Sequence, residues 1–208
     1  MTYLSKIKLG LRVFSATSRN WLFLRFKNDI KLHLGAGGTT LPDYLNVDSL
    51  FLRNTELVSK IEHLNFFVRK ESVSAIYASH VLEHFSHEEV KKILQILYNL
   101  LTVGGQLRLS VPDIDKIAKI YNKNLEHFQR RGNSPWNGLI YGGQCTKYDF
   151  HKTGFNFNWL SFLLGEAGFK HIQEYDAREF TRENNIKDSS LADQPFGEMI
   201  SLNIVAGK

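Results

Sequence analysis

The chain has 208 residues, 43% of them hydrophobic and 23% charged, with a net charge of +5. That length suits one domain with a sizeable core and a short appendage. A single cysteine, Cys145, excludes an internal disulfide and fits a reducing, cytoplasmic setting, and no apolar run approaches the ~20 residues of a membrane span.

The front of the chain is basic. Between Met1 and Asn28 stand Lys6, Lys8, Arg12, Arg19, Arg25 and Lys27, and no acid. Leu4, Ile7, Leu11 and Phe14 recur at helical spacing, so residues 1–29 read as a basic amphipathic helix leading into a domain over 30–208. Such a helix either packs on its own domain or makes peripheral contact with an anionic membrane face or a polyanionic partner. Arg12 interrupts the apolar stretch, so a signal peptide is not expected.

Strands and helices then alternate. Ile30 to Leu34 reads as a first strand and Tyr44 to Asp48 as a second, with Pro42 between them opposing a regular helix. A short strand is expected within Lys60 to Phe66, and "SAIYAS", Ser74 to Ser79, reads as a buried strand. Ser86 and Glu89 form a capping-box pattern ahead of an apolar stripe, Val90, Ile93, Leu94, Leu97 and Leu101, that Gly104 and Gly105 would end. Leu107, Leu109 and Val111 alternate in a strand stopping at Pro112 and Asp113. Helix is expected over Ile114 to Arg130, irregular chain over Arg131 to Lys152, and helix over Trp159 to Ala167, closed by Gly168. Lys170 to Tyr175 and Ser201 to Ala206 read as final strands.

This alternation implies a mainly parallel sheet covered on both faces, with ligands at the carboxyl ends of the strands. Those ends are the Gly35 turn, Asp48, the Ser79–His80 junction and Pro112–Asp113. The stretch "KLHLGAGGTTLPDYLNVDSL" sharpens the ligand question. Its glycine turn and Asp48 resemble a dinucleotide site, but the carboxylate comes much sooner than the roughly 20 residues that a full helix requires. Phosphate binding uses that helix's N-terminus. A phosphate-free nucleoside can do without it: the glycines admit it to backbone N–H groups, and the carboxylate accepts from two ribose hydroxyls. S-adenosylmethionine is such a ligand.

"HLGAGG", "YLNVD", "IYASHVLEHF" and "LYNLLTVGGQLRLSVPD" resemble, in their order, the motifs of class I S-adenosylmethionine-dependent methyltransferases. The likeness is to a bacterial branch with a reduced first helix linked to surface-polysaccharide synthesis, which "GGQCTKYDFHKTGF" and "LLGEAGF" also fit. It runs from about Ile30 to the last residues. The resemblance implies an α/β, Rossmann-like, doubly wound fold: a mainly parallel seven-stranded sheet with an antiparallel last strand and a shortened first helix. It implies S-adenosylmethionine as cofactor, bound by Leu34, Gly35, Ala36, Gly37, Asp48, Ser79 and His80. Gly35 and Gly37 would meet the methionine portion, Asp48 the ribose and His80 the sulfonium end. In two places the chain departs from that branch: Lys60, with Glu62 nearby, replaces an aspartate that contacts adenine, and Asn65 replaces a proline.

"HVLEH", His80 to His84, also matches the H-x-x-E-H pattern of inverted zinc peptidases, with Glu83 as base. Its place after a buried strand and before the capped helix opposes that reading. Small-RNA 3′-end methyltransferases resemble the region with a metal-binding E-x-x-E-H, but the first acid is His80 here, so no metal is expected and Glu83 and His84 read as structural.

For the methyl acceptor, His151 in "YDFHK" is the first candidate base and His80 the second, because a histidine near neutrality can take the proton of a high-pKa hydroxyl. Gln144, Tyr148 and Asp113 are candidate acceptor contacts, Asp113 being equally a helix cap. Phe150, Phe155, Phe157 and Trp159 read as core. The expected activity is O-methylation of a sugar in a glycan or glycolipid. Nucleic-acid methylation and a cofactor-binding scaffold without turnover stay open.

Overall fold

Short runs of alternating or wholly apolar residues pair into one seven-stranded sheet. Its strands are β1 (Ile30–Leu34), β2 (Leu45–Asp48), β3 (Leu57–Val58), β4 (Val73–Ser79), β5 (Leu101–Pro112), β6 (Lys170–Glu174) and β7 (Ser201–Gly207). The computed structural model describes residues 24–125, 135–193 and 197–208. The strand order is β3-β2-β1-β4-β5-β7-β6. Pairings from β3 to β5 are parallel, and β7 runs antiparallel to both β5 and β6. The expected Rossmann-like methyltransferase architecture is therefore present, with its antiparallel last strand.

Helices cover the sheet as α1 (Leu64–Phe67), α2 (His87–Leu100), α3 (Ile114–Lys123), α4 (Pro135–Tyr141), α5 (Phe157–Glu166) and α6 (Ala177–Glu183). The capping box forms as read: Ser86 Oγ accepts from Glu89 N, and Glu89 Oε2 accepts from Ser86 N. Val90, Ile93, Leu94, Leu97 and Leu100 are buried against the sheet. They share the main core with Leu32 and Leu34 of β1, Ile76 of β4 and Leu160 and Leu164 of α5. Leu24, at the edge of the basic segment, is buried in the same core. The rest of the expected N-terminal helix lies outside the described residues. No described helix is long and apolar enough to cross a membrane.

Four expectations change. Residues from Ile61 to Phe67 are helical rather than extended, because Ile61, Leu64 and Val68 bury at helical spacing; the strand there is β3, earlier in the chain. The helix ends at Leu100, and Leu101 opens β5, which runs through Gly104 and Gly105. Gly104 takes φ +80°, and a register shift between Val73 and Ala75 absorbs the irregularity. α4 occupies part of the stretch expected to be irregular, and α6 was not expected. The helix starting at Ile114 is described to Lys123, and most of its expected remainder lies outside the described residues.

Between β1 and β2 the first helix is not merely short. Residues 35–44 form turns only. A polar clamp holds them. Asn46 is 2% exposed. Its Oδ1 accepts from Leu41 N at 3.0 Å and lies 2.9 Å from His33 Nδ1. Its Nδ2 donates to Tyr44 O and Glu56 Oε2 at 3.1 and 2.9 Å. Since the Asn46 amide nitrogen is committed as donor, His33 Nδ1 must carry the hydrogen. Leu41, fully buried, packs with Tyr77 and Phe180 on the sheet face that a helix would otherwise cover.

Candidate functional site

The carboxyl ends of β1, β2 and β4 open into a cleft of about 430 Å³. That volume is within the usual range for a small-molecule site. Gly35, Gly37 and Asp48 line it on one side, and His80, His84 and Tyr148 on the other.

The first side is built from backbone. Gly35 and Gly37 both have positive φ, +63° and +55°, where an L side chain is strained. Gly35 has a second constraint: a Cβ there would lie 2.4 Å from Val81 Cγ2. Around Gly37 the space is open, its nearest neighbour to a Cβ being Gly35 O at 3.9 Å. The turn is tied to β2, with Ala36 N donating to Val47 O at 3.1 Å. Gly37 N donates to Asp48 Oδ2 at 2.9 Å and Leu50 N to Oδ1 at 2.8 Å. Each carboxylate oxygen keeps a further lone pair for a ligand hydroxyl. Residues 35–44, which follow β1, contain no helix, so the turn's donor set suits a phosphate-free nucleoside. Lys60 and Glu62 also line the cleft.

The second side is built from side chains. His80 sits in the left-handed region at φ +54°. Its ring is engaged at both nitrogens: Nε2 is 2.9 Å from Ser201 Oγ and Nδ1 is 3.1 Å from Glu83 Oε1. Glu83 is 1% exposed; His80 Nδ1 faces its Oε1, and Oε2 has no hydrogen-bond partner.

The chain around His151 folds back onto this stretch. Lys152 N and Thr153 N both donate to Glu83 O, at 2.7 and 3.2 Å, and Thr153 Oγ1 donates to Phe85 O at 2.7 Å. His84 and His151 thereby meet edge to face, ring centroids 5.1 Å apart. His84 Nδ1 lies 3.2 Å from Phe150 O, and His151 Nδ1 lies 3.1 Å from Leu139 O. A carbonyl oxygen only accepts, so both Nδ1 atoms carry hydrogen and both Nε2 atoms present lone pairs. Burial pushes the His151 imidazole below its ordinary pKa, with the Glu83 charge pulling upward and His84 adding to the depression.

The remaining expected residues fall in different places. Tyr148 lines the cleft, whereas His151 stands behind His84 and is not part of the lining. Leu34 and Ala36 are buried beneath the turn, and Ser79 Oγ is buried without a hydrogen-bond partner; none of the three lines the cleft. Asp113 is 5% exposed and caps α3, accepting from Asp115 N and Lys116 N, away from the cleft. Gln144 is exposed at φ +55°, its side chain turned toward Tyr141 O. Phe155 is core and Phe157 and Trp159 pack against it, but Phe150 is 42% exposed. Lys147 and Lys152 line the cleft without having been singled out in the sequence, since surface lysines carry no pattern until the loop is placed.

No family model and no curated protein matches the sequence. Solved structures do match the fold. A SAM-dependent methyltransferase from Archaeoglobus fulgidus aligns with TM-score 0.53 and 14% identity over 100% of both chains. One from Thermotoga maritima gives TM-score 0.51 and 16% identity over 99% of this chain and 96% of its own. The 1,6-didemethyltoxoflavin-N1-methyltransferase of Burkholderia thailandensis, solved with that substrate and S-adenosylhomocysteine, gives TM-score 0.53 and 14% identity over 99% and 85%. The chain thus has the fold of the class I SAM-dependent methyltransferases.

Proposed function

We propose that the protein is a S-adenosylmethionine-dependent methyltransferase that acts on a hydroxyl group, in the first instance of a sugar in a glycan or glycolipid. The observation that carries the reading is that one cleft gathers the glycine turn and Asp48 together with His80, His84 and Tyr148. Gly35, Gly37 and Asp48 hold the nucleoside and methionine parts, with Leu34 and Ala36 supporting the turn from below. The sugar class rests on the sequence resemblance.

When bound, S-adenosylmethionine supplies a methyl group on a positively charged sulfur, open to in-line displacement. The protein's part is to align the acceptor, exclude water and receive a proton. His80 is poorly placed for the last task, because both ring nitrogens are already engaged. His84 and His151 keep free Nε2 lone pairs, so proton handling falls to that pair. Tyr148, beside them on the cleft wall, is positioned to orient the acceptor.

Titration calorimetry with S-adenosylmethionine and S-adenosylhomocysteine tests the cofactor reading. A radiolabelled methyl-transfer assay on pools of sugars, RNA and small molecules then tests the acceptor. Binding followed by label in the sugar pool is the expected result. Cofactor binding without transfer to any pool would make the protein a scaffold, and label in RNA alone would replace the sugar acceptor.

A further inference from the structure

We infer that Glu83, His84 and His151 form a binding site for a divalent transition-metal ion, with zinc the ion that fits their chemistry best. This rests on the proposed methyl transfer only for the ion's use; the binding itself does not depend on it. The geometry comes first. One potential ligand atom from each of the three side chains lies within 4.8 Å of the other two. Ligands at about 2.0–2.2 Å from zinc sit somewhat closer together than that, so a rotamer-scale movement of the half-buried His84 or His151 closes the site.

Two further observations point the same way. Both imidazoles are oriented by Nδ1–H donation to a backbone carbonyl, Phe150 O for His84 and Leu139 O for His151. Metal-bound histidines characteristically have their second nitrogen held in this manner, which fixes the tautomer and aims the lone pair. The Glu83 carboxylate is almost wholly buried, with His80 Nδ1 3.1 Å from Oε1 and no hydrogen bond to Oε2. A buried carboxylate in that condition is costly, and an adjacent cation removes the cost.

Two imidazoles and one carboxylate suit zinc and its first-row neighbours, and disfavour magnesium and calcium, which take oxygen ligands. Three protein ligands leave a position open. His84 lines the cleft, so that position can be reached by an acceptor hydroxyl. There the ion lowers the hydroxyl's hold on its proton. With the Nε2 lone pairs of His84 and His151 then held by the ion, the proton leaves to solvent instead of to that pair, the oxygen forms its bond to the methyl carbon, and the electron pair of the broken carbon–sulfur bond stays with sulfur. His80, 3.1 Å from Glu83 Oε1, acts as a positioning residue for the carboxylate. The sequence reading expected no metal; His151 is remote in the chain, and only the Glu83–Thr153 stitching brings it beside "EH".

The test uses the full chain, stripped with a chelator and titrated separately with zinc, manganese and magnesium chloride. One zinc ion per chain should bind, magnesium should not, and cobalt(II) in place of zinc should give the visible absorption of a low-coordinate nitrogen–oxygen site. Losing an outer partner of a metal site weakens affinity about 10- to 100-fold, so losing a direct ligand in Glu83→Gln, His84→Ala or His151→Gln should weaken zinc binding by at least about 100-fold. His63→Ala, away from the cluster, should leave it unchanged. Circular dichroism checks that each variant is folded, and S-adenosylhomocysteine titration is run on every sample. A folded wild-type chain that binds S-adenosylhomocysteine but takes up no zinc and shows no cobalt band would overturn the metal site while leaving the methyltransferase reading standing. Zinc uptake unaffected by His84→Ala and His151→Gln would also overturn it. Zinc binding at the expected stoichiometry without S-adenosylhomocysteine binding would uphold the site and remove the proposed cofactor instead.

Discussion

At the β1–β2 end of the cleft the wall is main chain: two left-handed glycines and the N–H groups of Gly37 and Leu50, gathered on one carboxylate. At the β4 end it is side chain: imidazoles and carboxylates brought together from distant segments and oriented by carbonyls and by one another. Backbone presents fixed dipoles that cannot titrate or leave, which suits a constant ligand. Side chains can exchange protons, hold ions and vary without disturbing the sheet, which suits a reacting group. That difference fits the proposed placing of the cofactor at the first end and of the chemistry at the second.

Four measurements would break or sharpen that division. The largest effect is expected at Asp48. Replacing it by alanine removes two hydrogen bonds to a charged acceptor, at about 1.5–3 kcal/mol each, so S-adenosylhomocysteine affinity should fall at least about a hundredfold. Unchanged affinity by calorimetry would detach Asp48 from the cofactor. Next comes His151→Gln, which should lower the methyl-transfer rate by roughly 100- to 10,000-fold while cofactor affinity holds. A lower melting temperature with an intact rate per folded molecule would make His151 a packing residue and empty the acceptor end of its chemistry.

Asn46→Ala should act on one end alone. Its side chain makes hydrogen bonds to four partners, His33, Leu41, Tyr44 and Glu56, at about 1 kcal/mol each. The melting temperature should fall by about 10 °C, at some 2–4 °C per kcal/mol for a chain of this size, while zinc affinity at the other end stays put. Equal losses at both ends would show that the ends are not separable.

The smallest effect concerns pH. Burial holds the His33 pKa below its ordinary value, against the opposing influences of Asn46, Asp188 and Asp48. The unfolded chain therefore takes up a proton that the folded chain refuses. As pH falls through the ordinary histidine range, near 6.5, stability should drop, and it should level off once the folded-state value is passed. The slope is at most about 1.4 kcal/mol per pH unit from this one group. Urea unfolding between pH 7.5 and 5 should show it, and His33→Gln should flatten that portion. A slope of opposite sign would mean that the clamp prefers a charged ring.

The two ends also differ in how far the sequence discloses them. Gly35, Gly37 and Asp48 lie close together in the chain, each at a strand end, so strand period and turn chemistry place them before any fold is known. Ser86 and Glu89 were readable for the same reason, since a capping box spans a single turn. Nothing local marks His151 as a neighbour of His84. Their meeting depends on Lys152 and Thr153 finding the Glu83 carbonyl across α2, β5, α3 and α4. Asp113 satisfied both of its readings on paper; the described structure shows it capping α3 and paired with Lys116 at 3.4 Å. Phe150 looked like core by residue type, but its carbonyl serves His84 while its ring stays outside.

Gly35 carries a consequence beyond its own turn. A side chain there would run into Val81, the residue between His80 and the Glu83–His84 pair. Gly35 and Val81 thus meet where the two ends of the cleft join, a route by which a ligand that displaces Gly35 itself passes free energy to the histidine end. Free energy passed through such a contact obeys reciprocity. By whatever factor an ion at one end changes cofactor affinity, the cofactor changes ion affinity by the same factor. Two separately prepared titrations, each run with and without the other ligand, must close the same thermodynamic cycle.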